Sequence, residues 1–428
     1  MTSHAVWPAP TASGIDATVA VPGSKSQNNR ELVLAALAES PTILAGALKS
    51  RDSDLMIEAL RALGATIDVD GSTVTVTPGR LRGPAHIDCG LAGTVMRFIP
   101  PLAAMAQGAI TLDGDPHARL RPMAPILKAL QDLGVNVTSP MGSNPPTHLP
   151  VTIHGVGFLD GGDVDVDASE SSQFISSLLL AGPRYRNGLT VRHIGHQSPS
   201  LPHIAMTVEA LRARGIVVEV EKNQWRVHPG TIRGGRVDIE PDLSNAGPFL
   251  AAALATGGTV RVPRWPSHTA QPGDLLRSFL TQMGAEVSLS NGVLTVRGAN
   301  SIKPLTADLS AAGELTPTLA ALCTLAEGRS VLTGISHLRG HETDRLAALV
   351  TEITRLGAHA QELEDGLVIE GGYTRLSPAL METYEDHRMA TFAAIIGLVV
   401  PGTQVRNIET TAKTIDDFPG LWSAMIGG

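Results

Sequence analysis

Apolar and polar positions follow two rhythms along this chain, and the rhythms succeed each other in a fixed order. Gln27 to Glu39 carries apolar residues at helical spacing and is closed by Pro41, which predicts a helix that stops there. Thr42 to Leu44 reads as a strand and Ser53 to Leu63 as a second helix. Thr66 to Val69 and Thr73 to Thr77 flank Asp70-Gly71, a hairpin signal. The same succession recurs in six segments spaced about 65 to 80 residues apart: small-residue turn, apolar helix, strand, second helix, Gly, hairpin. Each copy is therefore a whole α/β subdomain, larger than a solenoid repeat.

The end of the second helix marks the copies most clearly. It reads Ala59-Leu60-Arg61-Ala62-Leu63-Gly64-Ala65 and Ala129-Leu130-Gln131-Asp132-Leu133-Gly134-Val135, then Ala210-Leu211-Arg212-Ala213-Arg214-Gly215-Ile216. Phe279-Leu280-Thr281-Gln282-Met283-Gly284-Ala285 and Glu352-Ile353-Thr354-Arg355-Leu356-Gly357-Ala358 follow. First helices open on Asp167-Ala168-Ser169, Asp242-Leu243-Ser244 and Asp308-Leu309-Ser310. Free N–H groups and positive dipole ends at these openings suit anions, and are expected to face a cleft. Copy six opens at Tyr384-Glu385-Asp386-His387-Arg388, runs through Ala390 to Val400 and ends near Met425 without a hairpin. Ala17 to Val21 is expected to supply its missing strand. This predicts a discontinuous domain, 1–22 with 241–428, and a continuous one, 23–240.

Composition narrows the chemistry. A chain of 428 residues, 43% hydrophobic and 17% charged, suits two or three globular domains. No apolar run reaches membrane length, and Met1 to Pro10 has no basic region followed by an apolar one, so a cytoplasmic protein is expected. Cys89 and Cys323 lie in apolar segments and read as reduced packing residues. Without CxxC or HExxH spacing, neither a metal nor a cofactor is expected. A net charge of −8 argues against nucleic acid, yet Lys and Arg recur inside the small, polar motif loops. An acidic chain that concentrates cations there points to a small polyanion.

Pro22-Gly23-Ser24-Lys25-Ser26-Gln27-Asn28-Asn29-Arg30 is the sharpest such loop. Gly allows close backbone approach, Ser26 offers a hydroxyl, and Lys25 and Arg30 stand about one turn apart at a helix start, which suits a phosphate or carboxylate. Further motifs are Leu91-Ala92-Gly93-Thr94-Val95-Met96-Arg97, Arg121-Pro122-Met123, Ser171-Ser172-Gln173-Phe174 and Ser200-Leu201-Pro202-His203-Ile204. Glu342-Thr343-Asp344-Arg345-Leu346, Asp386-His387-Arg388-Met389-Ala390 and Thr411-Ala412-Lys413-Thr414 complete the set. In these motifs and their order, the chain resembles the 5-enolpyruvylshikimate-3-phosphate synthase family over essentially its whole length.

The resemblance implies an α/β (α+β) enolpyruvyl transferase fold, each of two domains built from three βαβαββ-type units. It implies transfer of the carboxyvinyl group of phosphoenolpyruvate to the 5-hydroxyl of shikimate 3-phosphate by a monomer that needs no cofactor, with glyphosate as inhibitor. By position, Lys25, Ser26, Arg30, Ser171, Ser172, Gln173 and Ser200 match shikimate 3-phosphate contacts, to which Glu314 and His341 are added. Lys25, Gly93, Arg121, Gln173, Arg345, Arg388 and Lys413 match phosphoenolpyruvate contacts. Glu314, standing where the family usually has Asp, is the expected base at the 5-hydroxyl. Glu342 and Lys413 are both expected to handle the proton at C3 and the departing phosphate, and His341 and His387 are further acid–base candidates. Asn28, Leu91 and His203 depart from the usual residues, as does His341 from Lys. Two competing readings are UDP-N-acetylglucosamine 1-carboxyvinyltransferase, which typically carries a reactive Cys where Asp115 to Arg121 has none, and a non-catalytic anion-binding protein.

Overall fold

The computed structural model describes residues 5–139, 142, 145–196, 200–340 and 342–427. The chain divides into two compact units, Gly23–Ile239 and Met1–Pro22 with Glu240–Gly428. Three helix pairs build the first: α1 (Lys25–Leu37) and α2 (Arg51–Ala62), α3 (Gly93–Met105) and α4 (Ala124–Asp132), α5 (Gln173–Ala181) and α6 (Leu201–Ala213). Three more build the other: α7 (Gly247–Thr256) and α8 (Leu276–Gln282), α9 (Thr316–Leu325) and α10 (Arg345–Arg355), α11 (His387–Gly397) and α12 (Phe418–Gly427).

The first helix of each pair is buried on nearly every face. Every residue of α3 and of α9 is buried. Such helices cannot be amphipathic; they form the centre of each unit and leave the second helices and the sheets to meet water. Each unit has its own apolar core, one gathered around Leu34, Phe98 and Phe174, the other around Phe249, Leu319 and Phe392.

The repeated glycine after the second helix has a backbone reason. Gly64, Gly134, Gly215, Gly284 and Gly357 take φ of 115°, 85°, 87°, 104° and 97°. At each, two N–H groups fold back on the last turn: Gly64 and Ala65 donate to the carbonyls of Arg61 and Leu60 at 2.9 and 3.0 Å, and the other four copies repeat this pair of bonds. This is a Schellman closure, which only Gly enters cheaply.

Five four-stranded sheets among the described residues repeat one plan, and a sixth has three strands. Ala85–Asp88 lies parallel to Gln107–Asp113, which pairs antiparallel with Val151–Val156, whose other neighbour is Asn136–Thr138. The chain crossings between the units redistribute the leading strand. Gly235–Asp238 precedes copy four in sequence but pairs with Thr42–Ala45 of copy one. The expectation that Ala17 to Val21 completes copy six is therefore overturned. Asp16–Thr18 pairs in parallel with Thr259–Pro263 and supplies the leading strand that copy four has lost. Copy six is completed by Val6–Pro8, antiparallel to Gln404–Arg406. Burial at Ile15, Ala17, Val19 and Val21 fits the buried-face period of a strand in that core. No helix among the described residues is long and apolar enough to cross a membrane.

Candidate active site

Aspartate turns place the starts of the first helices. Asp88 and Asp167 accept from the N–H groups of Gly90 and Ser169 at 2.8 and 3.0 Å. Asp242 and Asp308 accept from those of Asn245 and Ser310 at 2.9 and 2.8 Å. Short acidic side chains close such turns by bonding the backbone just ahead.

In the unit Gly23–Ile239, side chains tie the N-terminal ends of α1, α3 and α5 to one another. Asn29 donates to Thr94 Oγ1 at 2.6 Å, Arg30 Nη2 to Ser176 Oγ at 3.3 Å, and Arg97 Nη1 to Gln173 Oε1 at 3.4 Å. Arg30 is 2% exposed. Its remaining donors reach Thr207 Oγ1 at 2.7 Å and the carbonyls of Ser26 and His203 at 2.8 and 2.9 Å, and its guanidinium lies over the Phe98 ring. Burial pulls Arg30 down to about 10, which leaves it charged at neutral pH. Lys25 opens α1 with Nζ 3.5 Å from the Asp52 carboxylate. Gly23 is needed for packing, since a Cβ there would stand 2.2 Å from the Gly46 carbonyl oxygen. Gly93 opens α3 under two guanidinium groups; a Cβ there would stand 2.9 Å from Arg121 Nη2 and 2.9 Å from Arg97 Nη1. Arg97 is buried with its Nε lacking a hydrogen-bond partner among the described residues. Burial, and then the neighbouring Arg121 charge, lower it to about 9. Ser171 Oγ accepts from the Gln173 N–H at 3.3 Å, and Ser200 is the N-cap residue of α6.

In the discontinuous unit, a charged network joins the turn before α9, the start of α10 and the start of α11. Glu314, in the 3-10 turn Gly313–Leu315 that leads into α9, accepts from Ser244 Oγ at 3.2 Å. Arg345 forks onto Asp386, Nε to Oδ2 at 2.7 Å and Nη2 to Oδ1 at 3.2 Å, with both side chains almost wholly buried. Glu342 faces Lys413 Nζ at 2.5 Å, His387 Nδ1 at 3.1 Å and Arg345 Nη2 at 3.6 Å. Burial opposes its charge, but Lys413, His387 and Arg345 outweigh burial and hold the carboxyl well below the usual carboxylate range. Burial also pulls His387 down, to about 4, against the attraction of Glu342. The imidazole is then neutral near pH 7 and donates its Nδ1 hydrogen to Glu342. Burial lowers Arg388 as well, and the Arg345 charge adds to it. Glu342, Asp386 and His387 have metal-ligand types within 4.8 Å of one another. The fork of Arg345 and the ammonium of Lys413 already answer their charge.

A profile described as EPSP synthase (3-phosphoshikimate 1-carboxyvinyltransferase) matches residues 10–422. The chain belongs to the EPSP synthase family. A 3-phosphoshikimate 1-carboxyvinyltransferase from Kocuria rhizophila is 52% identical to it over an alignment of 442 positions, covering 99% of this chain and 98% of that one. EPSP synthase from Acinetobacter baumannii, solved at 2.37 Å, superposes with a TM-score of 0.84 at 26% identity, covering 98% of each chain. A second structure of EPSP synthase from that organism gives 0.82 at 25% identity. The enolpyruvyl transferase fold expected from the motifs is thus the fold of this chain.

Against this EPSP synthase framework, the residues singled out in the sequence fall into two groups. Lys25, Ser26, Arg30, Gly93, Arg121, Ser171, Ser172, Gln173 and Ser200 belong to Gly23–Ile239; Glu314, Glu342, Arg345, His387, Arg388 and Lys413 belong to the discontinuous unit. His341 lies outside the described residues. Two departures from the family pattern act through the main chain: the Leu91 carbonyl accepts from Arg121 at 3.1 Å and the His203 carbonyl from Arg30. Asn28 is 1% exposed and ties α1 to α2 by bonding Ser53 Oγ at 3.2 Å. Sequence reasoning passed over Arg97, Asp52, Asp386 and His337. The first three stand in quoted motifs or helical openings, but nothing local says that Asp386 answers Arg345, 41 residues away. His337 packs its Nε2 where a Cβ on Gly313 would fall, and burial lowers it against the attraction of Glu314.

Proposed function

We propose that this chain transfers the enolpyruvyl group of phosphoenolpyruvate to the 5-hydroxyl of shikimate 3-phosphate and releases phosphate, as a cytoplasmic monomer of the shikimate pathway. The observation that carries the reading is its near-full-length likeness to a 3-phosphoshikimate 1-carboxyvinyltransferase. The units 1–22 with 241–428 and 23–240 are read as the two domains of the fold. Lys25, Ser26, Arg30, Ser171, Ser172, Gln173 and Ser200 hold shikimate 3-phosphate. Lys25, Gly93, Arg121, Gln173, Arg345, Arg388 and Lys413 hold phosphoenolpyruvate, whose place glyphosate takes as an inhibitor. Arg forks suit planar oxyanions, and the Lys ammonium suits a point charge at a reacting oxygen.

Glu314 accepts the 5-hydroxyl proton as the oxygen adds to C2, while C3 takes a proton; C3 then gives a proton back as the C2–O bond to phosphate breaks. The electrostatics support one of the two candidates for C3 over the other. Glu342 is held ionised by three neighbours, so it is a poor acid and a good orienter. Lys413, whose Nζ it grips at 2.5 Å, is the group that carries protons. The acceptor is tested by mass spectrometry of products from phosphoenolpyruvate with shikimate 3-phosphate or UDP-N-acetylglucosamine. Enolpyruvylation of the first alone is expected; modification of the sugar nucleotide sinks the assignment.

A further inference from the structure

Two consecutive residues without glycine's freedom stand in the left-handed region immediately before the Asp386-His387-Arg388 motif: Tyr384 at φ 54° and Glu385 at φ 57°. Single left-handed residues of this kind are uncommon, and two in a row persist only where surrounding structure over-determines them. The surroundings here are supplied by α10. At its start, Arg345 forks onto Asp386. Two turns further along the same face, Glu352 is fully buried. Its Oε1 accepts from the Tyr384 hydroxyl at 2.7 Å, its Oε2 accepts from the Glu382 N–H at 3.1 Å, and Oε2 also stands 3.2 Å from Arg355 Nε as an ion pair. A further bond closes the turn itself, from the Asp386 N–H to the Thr383 carbonyl at 2.8 Å. The segment 382–386 is therefore gripped by one helix at two points, with the strained pair between them.

We infer that Glu352 and Tyr384 are positioning residues: they hold the left-handed turn that aims His387 and Arg388, and through Arg388 they set affinity for the phosphoenolpyruvate anion. Neither touches the reacting atoms. The inference rests on the assignment of Arg388 to phosphoenolpyruvate. Tyr384→Phe removes the hydroxyl and keeps the ring, so packing survives while the grip on the turn loses its bond at the left-handed pair. Relaxation of the turn then swings the first residues of α11, and a small misplacement of a charged fork costs binding. Asn enters the left-handed region far more readily than Glu, and Glu385 is exposed, so Glu385→Asn makes the turn hold its shape without the grip.

The test is a set of steady-state measurements on the parent, Tyr384→Phe, and Tyr384→Phe with Glu385→Asn. The grip predicts that Tyr384→Phe raises the KM for phosphoenolpyruvate by about three- to ten-fold, leaves that for shikimate 3-phosphate within about two-fold, and is rescued by Glu385→Asn. An unmoved KM for phosphoenolpyruvate, a parallel rise of both KM values, or a failed rescue overturns it. A parent that folds but shows no turnover defeats the proposed function instead. The grip is then read from amide hydrogen exchange at Asp386, whose N–H closes the turn onto the Thr383 carbonyl at 2.8 Å; exchange should quicken in Tyr384→Phe and slow again with Glu385→Asn. Unchanged exchange overturns the inference on that readout.

Discussion

One carboxylate, Glu314, carries the first proton of the proposed reaction. It sits in the 3-10 turn that leads into α9, two residues before that helix begins, and is met by Ser244 Oγ at 3.2 Å. Acidic charge at a site for anions repels substrate, which supports the proton-handling task proposed for it. Glu314→Gln keeps the size and removes the base; turnover should fall about 100-fold or more with shikimate 3-phosphate binding retained, and turnover within about three-fold of the parent would send the search elsewhere. Gly93 carries a different demand. A methyl there meets Arg121 and Arg97 at 2.9 Å each, so Gly93→Ala must push at least one guanidinium aside. The longer glyphosate should lose more than phosphoenolpyruvate, seen as an inhibition constant that rises by a larger factor than the KM; equal factors contradict the steric account. The motif positions were readable from their residues, whereas the idle Nε of Arg97 was not, because burial and missing partners are properties of the folded site.

His387 gives the acid limb of stability its sign. The unfolded chain takes up a proton at this imidazole near 6.5 and the native chain only at about 4, so the native state weakens as pH falls through that window. Glu342, held ionised, adds loss in the same direction below 4.5. Burial raises Glu31 and Glu352, and their loss runs the other way as pH rises above 4.5. The imidazole's share is therefore read as a difference: the thermal midpoint of the parent should fall more steeply between pH 6.5 and 4 than that of His387→Gln. Parallel curves refute it.

Among the elements, the second-helix closures are the most legible feature of the sequence, because one backbone need recurs five times. Gly134 has no atom within 4 Å of a Cβ, so Gly134→Ala adds only left-handed strain, about 1–2 kcal/mol. At Gly64 the same methyl also stands 2.5 Å from the Arg80 carbonyl oxygen, and Gly64→Ala should cost visibly more. Denaturant midpoints with unchanged slopes measure the pair, and equal losses would mean the Arg80 segment yields freely. First-copy helices and strands fell within a few residues of their apolar periods, Lys25–Leu37 against Gln27 to Glu39 for instance. The leading strands were not legible in the same way. Asp16–Thr18 and Val6–Pro8 are three residues each, and alternation over so short a run fits any edge in need of a partner. Which edge was vacant depended on the chain crossings, since Gly235–Asp238 leaves copy four for copy one.

At the scale of the whole molecule, the sixfold repeat places first-helix openings in both units, and the departures from it are where the charge lies. Eight cations and carboxylates of the proposed site, from Lys25 to Lys413, sit in an acidic chain of net charge −8. The repeat told of the architecture, and the family motifs told of the chemistry; neither could tell that Asp386 forks with Arg345 or that three neighbours hold Glu342 ionised. All of it converges on a single expectation, that phosphate leaves phosphoenolpyruvate only when the acceptor is present. Phosphate release should be followed with the purified chain and phosphoenolpyruvate, with and without shikimate 3-phosphate. Steady release that requires shikimate 3-phosphate and fails in Glu314→Gln is the predicted result. Binding of both anions with no release, or release that ignores shikimate 3-phosphate, would contradict the account.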